Sequence, residues 1–180
     1  PYFNSVFVPL MAPAAFLIGV GPVARWKQAK IPELAVRLRW AFALSLLTAA
    51  LLPFVIGGWK WRASLGLLLA CWIVATSVQN IWSRVRSQSG ESSLLTKLKV
   101  PSRSYYGMHL AHIGVAVFIA GVTVVTSYQT EKDVKMNIGD TVNVGGYEFR
   151  LNNLSQYQGP NFQAVRADIA VTANGSEVAM

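Results

Sequence analysis

Two histidines, His109 and His112, carry the most reactive side chains in the apolar part of this sequence. They lie three residues apart in SYYGMHLAHIGVAVFIAGVTVV, at the start of a long apolar run, and the chain has no other histidine. Residues at i and i+3 are neighbours on one helix face. If the helix enters a bilayer near Tyr105, a rise of about 1.5 Å per residue places His112 roughly 10 Å deep. An ionisable group at that depth predicts a functional site, whereas His109 is closer to the interface, where water can reach it.

Several roles are open to His112. The simplest is a neutral imidazole that hydrogen-bonds a carbonyl or hydroxyl of a neighbouring helix. A zinc site would need further Cys, His, Asp or Glu ligands, and a proton relay would need ionisable residues across the bilayer. The apolar runs contain no carboxylate and one thiol, that of Cys71. Haem iron needs only one axial imidazole from a given helix.

The helix that carries the histidines is rich in small residues, which leave room for a flat ring but also permit close helix packing. They are Gly107, Ala111, Gly114, Ala116, Ala120 and Gly121. Together with a histidine at membrane depth, they favour haem over the other roles of His112. His109 cannot bind the same iron from the same side, so we expect it either to contact a haem propionate or to tune the site from behind the ligand.

The composition predicts a mainly α-helical membrane protein. The 180 residues are 53% hydrophobic and 13% charged, whereas soluble domains carry about 25% charged residues. Four apolar windows approach the roughly 20 residues that a bilayer core requires. They cover residues 5–24, 40–58, 63–82 and 105–128. We therefore expect four transmembrane helices within residues 1–128.

The basic residues predict the orientation of these helices. Residues 25–39 and 83–104 each carry five Lys or Arg, and the other connections carry fewer. Basic loops stay on the cytoplasmic side, so both chain ends are expected on the opposite face of the membrane. The net charge of +8 comes from these loops, because residues 129–180 carry four basic and six acidic residues. This distribution predicts contact with membrane lipid and does not favour nucleic acid as a partner.

Residues 129–180 have a different pattern, with short β-type runs separated by turn signals. Gly145-Gly146 and Asn174-Gly175 are dipeptides typical of tight β-hairpins. The run after Asn174-Gly175 is short and would leave an unpaired sheet edge. We therefore expect a water-facing β-rich segment that is the opening, incomplete part of a small β domain.

Three stretches of the chain resemble one known family, the CcmF-type subunit of the bacterial cytochrome c maturation (System I) haem lyase. They are PYFNSVFVPLMAPAAFLIGVGPVARWK, RSYYGMHLAHIGVAVFIAGVTVVTSY and IGDTVNVGGYEFRL. The order of a Pro-rich span, a basic loop, two spans, a second basic loop, a histidine span and a β tail follows the same family. The resemblance extends over the whole chain, as a C-terminal-half portion of a longer protein.

This resemblance implies a multi-pass protein of the bacterial inner membrane, with both chain ends and the β segment in the periplasm. Such a protein would receive haem from a periplasmic haem chaperone. Membrane subunits would present the CxxCH thiols of apocytochrome c for thioether formation. The family also holds a haem b in the membrane between two histidines on different helices, and His112 in LAHIG matches one of them. His109 matches no ligand of the family. The family's tryptophan-rich WWD motif and its periplasmic haem-binding histidines are expected upstream, so this segment is not catalytic alone.

Two other functions fit a membrane protein with a buried histidine. A bis-histidine cytochrome b subunit for electron transfer would need a second intramembrane histidine but no tryptophan-rich haem platform. A transporter module could use the proline-kinked first span to line a pathway and would need a matching broken helix elsewhere.

Overall fold

The fold is described by a computed structural model that covers residues 2–24, 31–88 and 93–179. It contains two compact units, Pro1–Tyr128 and Gln129–Met180. Part of the basic loop used to predict orientation, residues 25–30, lies outside the described residues, and so does Glu91.

The first unit is helical. Its elements are α1 (Tyr2–Val20), α2 (Ile31–Ile56), α3 (Trp61–Arg86), α4 (Leu94–Lys99) and α5 (Arg103–Tyr128). α2, α3 and α5 are each long and apolar enough to cross a membrane, so the chain is a multi-pass membrane protein. α3 is the central helix, because α1, α2 and α5 all pack extensively against it.

The predicted number of four transmembrane helices is too high by one for the described residues. In the first window, residues 5–24, the helix ends at Val20 and is followed by a turn. The sequence Gly21-Pro22 explains this end, because proline disfavours a helical conformation at the residue before it and cannot donate a backbone hydrogen bond. α1 has 19 residues, and its apolar part Ser5–Val20 is shorter than the three candidate spans, which have 26 residues each.

The core of the helical unit is organised around the indole of Trp72 on α3, which is 2% exposed. Its ring stacks on Phe16 with a centroid distance of 5.1 Å and meets Phe42 edge-on at 6.0 Å. The indole N–H donates to the Phe16 carbonyl at 2.9 Å. A side chain at Gly19 would overlap the indole, so the absence of a Cβ there lets α1 approach α3.

The second unit is a four-stranded antiparallel meander with the strand order β1-β2-β3-β4. The strands are β1 (Thr141–Val144), β2 (Tyr147–Gln158), β3 (Gln163–Ala173) and β4 (Ser176–Ala179). Both predicted hairpin turns are confirmed. Gly145 and Gly146 have φ values of 61° and 86°, and Asn174 and Gly175 have 52° and 79°. Two successive positive φ values are the requirement of the type I′ turn that joins twisted strands.

Candidate functional site

The two histidines lie near the beginning of α5, which packs against α3 with one face. This face carries Tyr105, His109, Ala116 and Thr123. These residues point in nearly the same direction, because each residue turns an α-helix by about 100°. His109 and Ala116 are 1% and 2% exposed, and a side chain at Gly66 of α3 would overlap Thr123. The side-chain hydroxyl of Tyr105 donates to the Asn80 Oδ1 of α3 at 2.5 Å.

His109 is buried in this interface, contrary to the expectation that water can reach it. The Tyr105 ring meets its imidazole edge-on at a centroid distance of 4.7 Å. Both ring nitrogens are buried, and neither has a hydrogen-bond partner among the described residues. Distance along the helix suggested solvation, but the contact with α3 decides the exposure. A ligand from outside the chain therefore cannot reach His109 without moving α5 or α3.

His112 lies one turn further along α5 and is only half-buried. Its ring centroid is 6.3 Å from that of His109, and the two rings are nearly perpendicular. Its Nδ1 is buried without a hydrogen-bond partner among the described residues. Because His112 is only half-buried, its side chain could bind a group that a second helix also contacts.

The small residues of α5 divide between two faces. At about 100° per residue, Ala116 and Ala120 lie near the histidine side of the helix. Gly107, Gly114 and Gly121 follow each other at seven-residue intervals on the opposite side, where a Cβ would meet nothing within 4 Å in the described structure. The glycines therefore do not provide space beside His112. Their exposed face suits close approach of another helix.

A polar cluster next to the histidines was missed by the sequence reasoning. Asn80 on α3 accepts from the Tyr105 hydroxyl and donates through Nδ2 to the Pro22 carbonyl at 2.7 Å. The Arg84 guanidinium lies over the Tyr105 ring, 5.2 Å from its centroid. The signal was the Gln79-Asn80 pair inside an apolar window, since polar side chains in membrane helices commonly hydrogen-bond across helices.

The site offers few side chains that could bind a metal ion. Within residues 2–24, 31–88 and 93–179, no three His, Cys, Asp or Glu side chains come together. The Cys71 thiol is half-buried and lies 3.4 Å from the Thr48 hydroxyl, away from the histidines in sequence. An iron bound by His112 would thus take its other axial ligand from outside the described chain.

Comparison with known proteins agrees with this architecture. Residues 127–180 match the family model described as the CcmF C-terminal beta-sandwich. Almost the whole chain also aligns with "Cytochrome c-type biogenesis protein CcmF" of Pseudomonas aeruginosa, at 33% identity over 179 residues. The chain is similar to a C-terminal portion of CcmF proteins. The CcmF of Escherichia coli is 34% identical over 176 residues, and "Cytochrome c-type biogenesis protein CycK" of Rhizobium meliloti is 32% identical over 181 residues.

The match to CcmF proteins covers 97–99% of this chain but only 26–27% of each of these three relatives. The chain therefore spans about a quarter of the length of the curated relatives. No solved structure gives a significant match to it.

Proposed function

We propose that this chain is part of a haem lyase that matures c-type cytochromes at the bacterial inner membrane, and that His112 is one axial ligand of an intramembrane haem b. Support for cytochrome c biogenesis comes from the relatives, whose names state it. Support for the ligand comes mainly from one observation. His112 is the half-accessible histidine on a membrane-spanning helix, and its buried Nδ1 has no hydrogen-bond partner in the described chain.

The residues around His112 fit a shared haem site. A buried nitrogen without a partner costs about 1–3 kcal/mol, so the intact protein is expected to supply a partner for Nδ1 when the other nitrogen binds iron. Such a partner fixes the tautomer and orients the ring. Axial imidazole ligation needs no further side chain from this helix. His112 is only half-buried within this chain, which leaves room for a second histidine on another helix.

His109 then serves as a positioning residue behind the ligand. Its near-complete burial argues against contact with a haem propionate, which was one of its two expected roles. The Tyr105 and His109 rings, packed against α3, hold the first turns of α5 in place. His112 is thereby presented on a fixed helix face. Rigid support of this kind sets ligand geometry.

When bound, haem b would supply single electrons that keep the substrate haem reduced while thiols add to its vinyl groups. This chain contributes the imidazole, a helix face that orients it and an apolar surrounding that excludes water. The covalent attachment to CxxCH would take place at the periplasmic face, outside the described residues.

The orientation and partners belong to the same proposal. Five described Lys or Arg residues between residues 83 and 104 favour a cytoplasmic position for that connection. The β unit would then lie in the periplasm, where a haem chaperone, apocytochrome c and the membrane subunits that present it could reach it.

The decisive experiment replaces His112 by Ala in the full-length protein. We expect the purified variant to lose the b-type absorption spectrum and the cell to lose most of its mature cytochrome c. The matched comparison is His109→Ala, which removes an imidazole that supports the helix but does not bind the iron, so this variant should retain haem b. An unchanged spectrum in the His112 variant would reject the ligand assignment.

The same variants separate the rival functions. Loss of haem b with normal cytochrome c levels would favour a separate electron-transfer cytochrome b. Normal spectra in both variants, with altered substrate flux in vesicles, would favour a transporter.

A further inference from the structure

A cavity of about 390 Å³ lies at the end of the helical unit where α3 ends and α5 begins. Small-ligand pockets commonly have volumes of about 300–1,000 Å³. Its walls come from the turn after α1, from Arg37 of α2, and from the last turns of α3, including Gln79, Ser83 and Arg84. The cavity is distinct from the exposed face of His112, because neither histidine lines it.

The cavity carries two positive charges that no acid compensates in the described chain. The only described ion pair, between Arg166 and Asp168, lies in the β unit. Glu33 is the one acidic residue among the described residues of the helical unit. It lies one turn before Arg37 on α2 but makes no ion pair with it. Arg84 is partly ordered by its position over the Tyr105 ring.

The uncharged polar side chains of the wall are already engaged. The Gln79 amide donates to the Arg37 carbonyl and the Asn80 amide to the Pro22 carbonyl. The Ser83 and Ser87 hydroxyls donate to carbonyls of α3. The guanidinium N–H groups of Arg37 and Arg84 are therefore the donors left for a ligand. Guanidinium groups match the geometry of phosphate oxygens, which they bind in bidentate fashion.

The surroundings of the cavity indicate that the phosphate comes from a lipid. Large apolar side chains within a few residues of the cavity wall are exposed: Val36 and Trp40 on α2, and Val78 and Trp82 on α3. Tryptophan favours the boundary between lipid tails and headgroups. α2 and α3 are both candidate membrane spans, so acyl chains would cover these residues while the headgroup stays at the cavity.

We propose that this cavity binds the phosphate group of an anionic phospholipid through Arg37 and Arg84. The site is independent of the haem assignment. It would fix the ends of α1, α2 and α3 to the membrane surface next to the beginning of the histidine helix.

The test uses the full-length protein, stripped of lipid and titrated with phosphatidylglycerol or phosphatidylcholine in native mass spectrometry. We expect a preference for phosphatidylglycerol. The double variant Arg37→Gln and Arg84→Gln should weaken that binding about thirtyfold, as expected for the loss of two cations at a lipid surface. The matched control, Arg39→Gln with Arg86→Gln, removes the same charge from the same helices outside the cavity and should change the affinity less than threefold.

A second variant, Ser83→Glu, keeps both arginines and places a carboxylate in the cavity wall. It should weaken phosphatidylglycerol binding as strongly as the arginine double variant.

Equal losses in the test and control pairs would overturn the proposal, because they would indicate a general attraction of the basic protein surface for anionic lipid. Unchanged binding in the Glu variant would overturn it as well. Displacement of the lipid by equimolar inorganic phosphate would reject a lipid in favour of a soluble anion. Thermal unfolding of each variant verifies that the fold is retained.

Discussion

The two ends of the contact between α3 and α5 differ in how many buried polar atoms lack a partner among the described residues: one at the closed end, Ser64 Oγ, and three at the open end. At the closed end, where α5 finishes, the Tyr128 hydroxyl donates to the Gly58 carbonyl at 2.8 Å and contacts the Pro53 carbonyl at 3.3 Å. The Lys60 ammonium donates to the Ser127 carbonyl at 2.6 Å and lies over the Tyr128 ring. The glycine at position 66 is needed there because Thr123 occupies the space of a side chain.

The open end, where α5 begins, has the opposite character. Three buried imidazole nitrogens of His109 and His112 have no partner among the described residues, and two arginines, Arg37 and Arg84, line a cavity. Buried polar groups in native proteins are nearly always paired. We infer that the contacts of the closed end stabilise the fold, whereas the polar groups of the open end bind partners from outside this chain. Four substitutions in the full-length protein test this comparison.

The largest effect is expected for Gly66→Val at the closed end. The new side chain would overlap Thr123, and overpacking of this kind costs about 3 kcal/mol. Unfolding by SDS in mixed micelles measures the loss of free energy. The control is Ala43→Val, at an exposed position of α2, which should cost less than about 1 kcal/mol, as is usual for substitutions at the surface. Equal losses would contradict the comparison.

Tyr128→Phe should cost about 1 kcal/mol, the typical net value of a lost hydrogen bond. The variant keeps the ring that packs against Gly57 and lies under the Lys60 ammonium, so only the hydroxyl contacts are removed. The same unfolding measurement provides the value. No measurable loss would mean that the closed end is stabilised by packing alone.

Tyr105→Phe is the matched change at the open end and should cost about 0.5 kcal/mol, near the lower limit for a hydrogen bond. The hydroxyl makes one contact, with Asn80, where Tyr128 reaches two carbonyls. A loss of unfolding free energy larger than that of Tyr128→Phe would show that the open end also stabilises the fold.

The smallest effect on stability is expected for His109→Leu, which should change the free energy of unfolding by less than about 1 kcal/mol and in either direction. Leucine removes two buried nitrogens whose lack of partners costs about 1–3 kcal/mol, and it retains apolar packing. A loss above about 2 kcal/mol would reveal a hydrogen-bond partner supplied by another part of the protein.

Much of the fold could be predicted from the sequence because its signals are local. Long apolar runs identify α2, α3 and α5. The dipeptides Gly145-Gly146 and Asn174-Gly175 identify the two hairpins, because these residue types tolerate the positive φ values that the turns require. The burial of His109 could not be predicted, since α5 is apolar on all sides and its sequence does not reveal which face meets α3. The hydrogen-bond partners of Asn80 could not be predicted either, because they lie far from it in the chain.

The central position of α3 has a consequence for how the bundle assembles during synthesis. Of these helices, α1 leaves the ribosome first, yet its main packing partner is α3 and not the helix that follows it. The indole of Trp72, which stacks on Phe16, is translated more than fifty residues later. α1 can therefore form this contact only after α3 has been synthesised, and an error in the insertion of α3 would remove the contact that α1, α2 and α5 share.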